Sequence, residues 1–224
     1  MKPQFEFLVP FKLNGAKSRL STILSPEERR LLALAMLQDV IDVVTRHSYA
    51  TILSSSDLDI VDVGRDVEIL ESDLGLNDAI NDFLQVHAKR RWPTDILIVM
   101  ADQALLTEKD VIGILDCRGD VVLSPGRGGG TNMILVRDRR FRTCYQGLSF
   151  PKHLAFARKA GMEVSIFESF RAGCDIDEPE DLAEVLLHNK QGQTLDLLQK
   201  WGFVLAEDGR AGCTRKNHAK AFHQ

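Results

Sequence analysis

The sequence predicts a fold of the α/β class, in which helices connect the strands of a largely buried sheet. Two observations support this prediction. Short apolar runs, typical of strands that are buried on both faces, recur along the chain. Amphipathic segments with helix-start signals separate them. The strongest run, Asp95–Met100, is β-branched and unbroken, so we expect it at the centre of the sheet.

The predicted strands, in chain order, are Phe5–Val9, Ala50–Leu53, Val67–Leu70, Asp95–Met100, Asp120–Leu123, Met133–Val136 and Met162–Phe167. A capping box, Ser25 to Glu28 with Pro26 at the first helical position, predicts a helix that runs to about Arg46. Its expected core face comprises Leu31, Leu34, Ala35, Met36, Leu37, Gln38 and Ile41. Further helices are expected to begin near Asn77, Thr107, Ser149 and Leu182.

Composition limits the classes of function. The chain has 224 residues, 44% of them hydrophobic and 27% charged, as in soluble globular proteins. A net charge of −4 argues against broad binding to nucleic acid or to anionic membranes. No apolar run is long enough for a membrane span, and the four widely spaced cysteines suggest free thiols in a reducing cytoplasm. We expect one domain over residues 1–205 and a flexible basic tail over 206–224.

A glycine-rich segment, Ser124–Val136, lies between two predicted strands. Its three consecutive glycines allow the main chain to approach a ligand closely. Arg127, Thr131 and Asn132 flank the glycines with groups that suit a phosphate or carboxylate. The alternative is a hairpin that only reverses the chain.

A basic segment follows the first predicted strand. Lys12, Lys17 and Arg19 lie close together around one glycine, at a strand end where open α/β sheets bind ligands. Three cations there suit a triphosphate. An ordinary solvated basic loop is the alternative.

Three aspartates are candidate magnesium ligands. Asp102 follows the strongest strand, and Asp175 and Asp177 alternate about one residue, so that in extended backbone their carboxylates face the same way. Paired carboxylates repel one another unless a cation lies between them, and magnesium favours a few carboxylates together with substrate phosphates. Asp102 could instead satisfy backbone N–H groups in its turn.

Gly147 and Ser149 precede a further predicted helix, whose N-terminus is a potential anion site. Ser149 is expected to cap this helix, and His153 is interpreted as a residue of its face rather than as a base. Asn77 is expected to cap the helix that it begins.

The motifs together resemble the 2-phospho-L-lactate guanylyltransferase family of archaea. The resemblance spans roughly residues 5 to 188 and depends on the order in which the motifs occur. They are Val9–Lys12, Ala16–Leu20, Leu24–Arg29, Arg127–Asn132, Ser149–Phe150, His153 and Asp175–Leu182.

This resemblance implies a mixed, mostly parallel sheet with helices on both faces, like the nucleoside-diphosphate-sugar transferases (the GT-A type). It implies transfer of GMP from GTP to 2-phospholactate with magnesium, in the synthesis of coenzyme F-420, by a homodimer. The triphosphate would lie against Lys12, Lys17 and Arg19, and the phospho-acid against Thr131, Gly147 and Ser149, with Arg127 and Asn132 beside it. The metal would be held by Asp102, Asp175 and Asp177, and the base would lie near Gly75, Leu76 and Asn77.

The sequence also departs from the family pattern. Gln103 and Ala104 stand where the family commonly has Leu-Pro after the first acidic residue, and the Gly147–Ser149 turn is one residue shorter. Phosphoenolpyruvate and 3-phosphoglycerate therefore remain alternative acceptors. A sugar-nucleotide transferase and a GTP-sensing module without turnover are the alternative classes.

Overall fold

A seven-stranded sheet forms the centre of the protein. The structure is a computed structural model that describes residues 5–13, 15, 17–55, 64–88, 95–206 and 212–215. The strands are β1 (Phe5–Phe11), β2 (Ala50–Ser54), β3 (Val67–Glu71), β4 (Asp95–Val99), β5 (Val121–Pro125), β6 (Thr131–Val136) and β7 (Val164–Ile166), with a separate hairpin of β8 (Phe203–Leu205) and β9 (Cys213–Arg215). All seven strands that the sequence predicts are present, and none of their ends is shifted by more than two residues.

Six α-helices lie within the described residues. They are α1 (Pro26–Val44), α2 (Leu76–Ala88), α3 (Glu108–Asp116), α4 (Ser149–Lys159), α5 (Asp181–His188) and α6 (Gln193–Lys200). A short 3₁₀ helix, Ser18–Thr22, precedes α1. Among these helices of the described chain, none is both long and apolar enough to cross a membrane.

The sheet is mixed and mostly parallel, in the order β3-β2-β1-β4-β6-β5-β7. Strands β1, β2, β3 and β4 pair in parallel, and β7 pairs in parallel with β5. Only β6 runs against its neighbours β4 and β5. The chain reverses at the glycine-rich segment and inserts β6 between β4 and β5, which places this segment beside the carboxyl end of β4.

Helices cover both faces of the sheet. On one face α1 and α3 pack against alternate residues of the central strands, and Val9, Leu97 and Leu135 lie in that core. On the other face α2 and α4 enclose Leu8, Ile98 and related residues. Alternate residues of each central strand enter opposite cores, and for this reason the strands read as continuous apolar runs.

Helix α1 begins as predicted, because the Ser25 hydroxyl accepts from the Glu28 amide while the Glu28 carboxylate accepts from the Ser25 amide. The predicted core face is only partly correct. Leu31 is 38% exposed, and the buried stripe instead comprises Leu32, Ala33, Ala35, Met36, Leu37, Val40, Ile41 and Val44. The leucine-rich start of the helix fits two overlapping stripes, so local spacing alone did not distinguish them.

A third apolar cluster attaches the C-terminal elements to α1. Leu195, Leu198 and Phe203 are buried against Leu32 and Met36. Residues 213–215, within the tail predicted from residue 206, pair with β8, and the flexibility of that tail stays a prediction. The remainder of that predicted tail, residues 207–211 and 216–224, lies outside the described residues.

Candidate active site

A buried lysine joins two of the three predicted acidic residues at the carboxyl edge of the sheet. Lys17 Nζ lies 2.8 Å from Asp102 Oδ2 and 2.7 Å from Asp177 Oδ1. Asp102 follows β4, whereas Asp177 lies in the extended segment before α5. The arrangement therefore brings together groups that are 85 and 160 residues apart in the chain.

The local backbone directs Lys17 inward. Its φ of 54° and ψ of 41° are left-handed, a conformation that is costly for residues other than glycine. The side chain is only 8% exposed. Burial alone would lower the pKa of Lys17, but Asp102 and Asp177 outweigh it and raise the pKa above its ordinary value. The lysine therefore remains charged and neutralises part of the acidic cluster.

Asp175 is the member of this cluster without a cationic partner among the described residues. Its Oδ1 lies 3.3 Å from the Asn132 Nδ2, which also donates to the Ala172 carbonyl at 2.9 Å. Burial, Asp102 and Asp177 together raise the pKa of Asp175. The cluster has three carboxylates and one buried lysine, so it carries an excess of negative charge.

The three aspartates do not form a ready-made ligand sphere in this structure. Within the described ranges, no three His, Cys, Asp or Glu residues are grouped as they would be around a metal ion. Lys17 Nζ lies within hydrogen-bond distance of both Asp102 and Asp177. Magnesium binding therefore stays a prediction, supported by the hard oxygen donors and by the charge excess.

A cavity of about 190 Å³ opens at the ends of β1 and β4. It is lined by Pro10, Phe11, Lys12, Lys17, Ala33, Met36, Met100, Ala101 and Asp102. Two of the three predicted cations, Lys12 and Lys17, therefore lie at one cavity. The third, Arg19, is 67% exposed and lies 3.8 Å from Asp177 and 3.6 Å from Glu178.

The glycine-rich segment is tightly held by internal hydrogen bonds. The amides of Gly126, Arg127 and Gly129 donate to the carbonyls of Gly130, Gly173 and Gly126, respectively. These amides are not available to a ligand here. A Cβ at Gly126 would lie 2.4 Å from Asn132 Oδ1, so a larger residue there would displace the Asn132 side chain.

Arg127 already has acidic partners in the protein. Its guanidinium lies 2.6 Å from Asp181 and 3.4 Å from Glu184, both on α5. Asp181 also accepts from the amides of Asp177 and Glu178, at 2.9 and 2.8 Å. Arg127 and Asp181 thus fix the acidic segment against the glycine loop, and anion binding by Arg127 stays a prediction.

Thr131, Ser149 and His153 form a buried polar network on the other side of the loop. Thr131 Oγ1 lies 3.1 Å from Ser149 Oγ and 2.8 Å from His153 Nδ1. The Cys144 amide donates to His153 Nε2 at 2.7 Å. The interpretation of His153 as a residue of the helix face is incomplete, because its side chain is fully buried and joins three elements.

The start of α4 is more enclosed than the sequence suggests. Ser149 is the first residue of the helix rather than its cap, and its hydroxyl contacts Thr131. Gly147 is exposed and has a φ of 59°. Lys152 Nζ donates to the Gln146 carbonyl at 2.5 Å, which places a cation beside this turn.

Asn77 has a different local role from the predicted cap. It lies within α2, and its Oδ1 accepts from the Tyr145 amide at 2.5 Å. This bond fixes the segment that leads into Gly147. Contact between Asn77 and a nucleotide base stays a prediction.

The sequence assigned no structural role to two further residues. Gln103 is fully buried and donates to the carbonyls of Met100 and Asn132, at 3.2 and 2.7 Å. It therefore joins β4 to β6, and this explains how the chain accommodates its departure from the family pattern. The Tyr145 hydroxyl is buried without a hydrogen-bond partner among the described residues. Burial, with Asp102 nearby, raises the pKa of Tyr145.

The fold resembles that of solved nucleotide-handling enzymes. A protein of Desulfovibrio desulfuricans G20, assigned to the nucleotide-diphospho-sugar transferases, superposes with a TM-score of 0.72 at 18% identity, over 88% of this chain and 95% of that one. A nucleotidyl transferase of Methanothermobacter gives a TM-score of 0.56 at 12% identity, over 88% and 99% of the two chains. These similarities establish the predicted fold class.

Other proteins are more similar to this chain in sequence than these two solved structures are. A 2-phospho-L-lactate guanylyltransferase of Methanothrix thermoacetophila is 49% identical over 206 residues, 91% of this chain and 92% of the relative. The enzyme of the same name from Archaeoglobus fulgidus is 41% identical over 89% of this chain and 91% of the relative. The family described as guanylyl transferase CofC-like matches residues 5–217. The chain belongs to this family of guanylyl transferases.

Proposed function

We propose that this protein transfers GMP from GTP to 2-phospho-L-lactate in the biosynthesis of coenzyme F-420. The names of its relatives supply the two substrates. The observation that supports the chemistry is the position of Lys17 between Asp102 and Asp177, beside a cavity at the carboxyl edge of the sheet. Ligands bind at this edge in open α/β folds.

The reaction needs little more than positioning and charge neutralisation. A phosphate oxygen of 2-phospholactate attacks the α-phosphorus of GTP, and a new P–O bond forms. The bond from that phosphorus to the bridging oxygen of the β-phosphate breaks, and pyrophosphate leaves with the electron pair. The nucleophile is already an anion, so no strong base is required.

The cations around the cavity suit the triphosphate. Lys12 and Lys17 line the cavity, and Arg19 lies near its acidic rim. Lys17 is fixed by two carboxylates and remains charged, so it can stabilise the charge that develops on the departing pyrophosphate without reorganisation.

Magnesium is part of the proposal. Asp102, Asp175 and Asp177 would hold it, since their oxygens are hard ligands and their charge exceeds that of Lys17. When bound, the ion neutralises phosphate charge. Because Lys17 contacts two of these ligands, it must share them with the ion.

We assign binding of the acceptor substrate to the polar network of Thr131, Ser149 and His153 beside the glycine-rich segment. Thr131 and Ser149 offer hydroxyls at the N-terminus of α4, where the helix dipole favours an anion. Lys152 and the exposed Gly147 lie at the same turn. Phosphoenolpyruvate or 3-phosphoglycerate would present the same phosphate and carboxylate groups, so they are retained as alternative acceptors.

Pyrophosphate release from GTP tests the proposal. The assay compares 2-phospho-L-lactate, phosphoenolpyruvate and 3-phosphoglycerate, with mass spectrometry of the product. We expect the highest kcat/KM with 2-phospho-L-lactate, preference for GTP over ATP, and no activity in chelator. Turnover with a sugar phosphate instead would indicate a sugar-nucleotide transferase, and GTP binding without pyrophosphate release would indicate a sensing module.

A matched pair of variants tests the acidic cluster. Asp102→Asn should reduce turnover by at least about 100-fold, because it removes charge at the reacting phosphates. Asp116→Asn makes the same chemical change at an exposed position at the end of α3, and should leave turnover unchanged. Full activity of Asp102→Asn in the presence or absence of chelator would contradict the metal assignment.

Assembly and location complete the proposal. We propose a homodimer in the cytoplasm, from the family resemblance and from the four free cysteines. Within α6 and β8, the apolar side chains of Leu195, Leu198 and Phe203 pack on the protein's own core. Light scattering that gives a monomer mass at the concentration of the assay would exclude the homodimer.

A further inference from the structure

A buried histidine sets the direction of a chain of hydrogen bonds that ends at the start of α4. His153 lies in the second turn of that helix and is fully buried. Both of its ring nitrogens are engaged, Nε2 by the Cys144 amide and Nδ1 by the Thr131 hydroxyl. Thr131 in turn contacts Ser149.

The contact with Cys144 determines which nitrogen carries the proton. A backbone amide can only donate, so Nε2 must accept and cannot carry a hydrogen. In the neutral ring the hydrogen is then on Nδ1, which lies 2.8 Å from Thr131 Oγ1. His153 therefore donates to Thr131.

The next hydrogen bond of the chain joins Thr131 to Ser149. Thr131 and Ser149 are each 3% exposed, so their hydroxyl hydrogens need acceptors within the protein or in a ligand. Thr131 accepts from His153, and either hydroxyl can donate across its 3.1 Å contact with Ser149 Oγ; we assign the donor role to Thr131. Among the described residues, no acceptor remains for the Ser149 hydrogen.

We propose that His153 is a positioning residue for the acceptor substrate, because its tautomer commits the Ser149 hydroxyl to donate to a phosphate oxygen. The inference rests on the proposed function, in which the start of α4 binds the phospho-acid. When the Ser149 hydroxyl accepts a hydrogen bond from Thr131, its own hydrogen is free to be donated to a ligand. It then binds a ligand oxyanion more favourably than a ligand group that is itself a hydrogen-bond donor.

The surroundings keep the ring neutral. Phe141 and Tyr145 pack against it, with ring centroids 5.9 and 4.9 Å away. Burial lowers the pKa of His153 to about 4, so the neutral form predominates at physiological pH. The tautomer is then fixed by the Cys144 amide alone.

A double-mutant cycle tests this role. In His153→Gln the side-chain carbonyl can still accept from the Cys144 amide, but the donor to Thr131 is lost. We expect KM for 2-phospho-L-lactate to rise about 10-fold with KM for GTP within about 2-fold of wild type, as for the loss of a hydrogen bond to a charged group. Ser149→Ala should show the same split.

Coupling between the two sites is the decisive readout. If His153 acts through Ser149, adding His153→Gln to Ser149→Ala should change the acceptor KM by less than about 2-fold. Full multiplication of the two effects, or an equal rise in KM for GTP, would overturn the proposal. Either result would indicate that His153 supports the fold only.

Nitrogen NMR of the wild-type protein provides a test that needs no variant. With ¹⁵N-labelled histidine and no substrate, His153 should show the Nδ1–H tautomer at pH 7. The Nε2–H tautomer or a charged ring would overturn the proposal even if His153→Gln fails to fold. If wild type releases no pyrophosphate with any of the three phospho-acids, the proposed function fails and the ligand assigned to Ser149 fails with it, whatever the tautomer.

Discussion

Replacing Lys17 by methionine should destabilise the protein by about 2 kcal/mol at neutral pH. Methionine retains most of the apolar stem and removes the charge that lies between Asp102 and Asp177. The two carboxylates and Asp175 would then face one another without their buried cation. Removing one partner from a fully buried ion pair costs roughly 3–5 kcal/mol.

Solvent exposure of the two aspartates makes the expected destabilisation smaller than this. The side chains of Asp102 and Asp177 are 25% and 40% exposed, so water screens part of the repulsion that remains in the variant. The left-handed backbone at residue 17 is unfavourable for both lysine and methionine, and its cost cancels in the comparison. An effect of about 2 kcal/mol follows from these two considerations.

The loss should depend on pH in a defined direction. Burial, Asp102 and Asp177 already raise the pKa of Asp175 in the folded protein, and loss of the lysine that offsets those two carboxylates should raise it further. A carboxyl whose pKa is raised on folding contributes more stability as the pH falls. The deficit of Lys17→Met should therefore become smaller between pH 7 and pH 5.

Urea unfolding at these two pH values provides the measurement. Lys109→Met is the matched control, because Lys109 is exposed on α3 and should tolerate the change within about 0.5 kcal/mol. The reasoning would be refuted if Lys17→Met behaved like this control. A deficit that grew in acid would refute the charge argument in particular.

Three further predictions concern the glycine loop and the buried polar groups. Because burial lowers the pKa of His153 to about 4, wild type should lose roughly 2–3 kcal/mol more than His153→Gln as the pH falls from 6.5 to 4. Equal slopes in urea unfolding would contradict this. Gly126→Ala should cost about 2 kcal/mol by displacing Asn132, whereas Gly128→Ala, with open space around its Cβ, should cost under about 0.5. Calorimetry of both variants checks the difference. Tyr145→Phe should raise stability by about 1 kcal/mol, since it removes a buried hydroxyl that has no partner among the described residues, and a lower Tm would show that the hydroxyl has a partner.

The fold was largely predictable because its signals are local. The capping box at Ser25 and Glu28 determines where α1 begins, and it was read correctly from four residues. The unbroken β-branched run Asp95–Val99 could only be a strand buried on both faces, and it lies between β1 and β6. The antiparallel insertion of β6 could not be read from composition, since a buried strand has the same pattern in either direction.

The candidate site was predictable in its location and less so in its contacts. Strand ends converge at one edge of a parallel sheet, so Asp102 was expected to face a ligand before any contact was known. Its pairing with Lys17 was not predictable. That contact requires a left-handed backbone at Lys17 itself, and the Asn14-Gly15 pair that precedes it does not indicate that the lysine adopts this conformation.

The C-terminal tail is a second region in which the sequence did not predict the contacts. Its basic composition predicted a solvated segment, yet residues 213–215 form a strand against β8. The Arg215 guanidinium donates to the Trp201 carbonyl and to Glu28, at 2.9 and 2.6 Å. A charge pattern shows that a side chain needs a partner, but it does not show whether water or a distant carboxylate supplies it.

The polar network around His153 lies furthest from what sequence can show. The sequence indicated Thr131 and Ser149 as separate candidate ligands, but nothing in it joined them to His153 and Cys144. Their roles depend on one geometric fact, that a backbone amide faces Nε2, so that His153 must donate to Thr131 through Nδ1. Fold signals repeat over many residues and tolerate local exceptions, whereas a donor direction depends on single contacts. A sequence therefore identifies the edge of the sheet where chemistry occurs, and the hydrogen bonds of the folded chain determine which oxygen donates there.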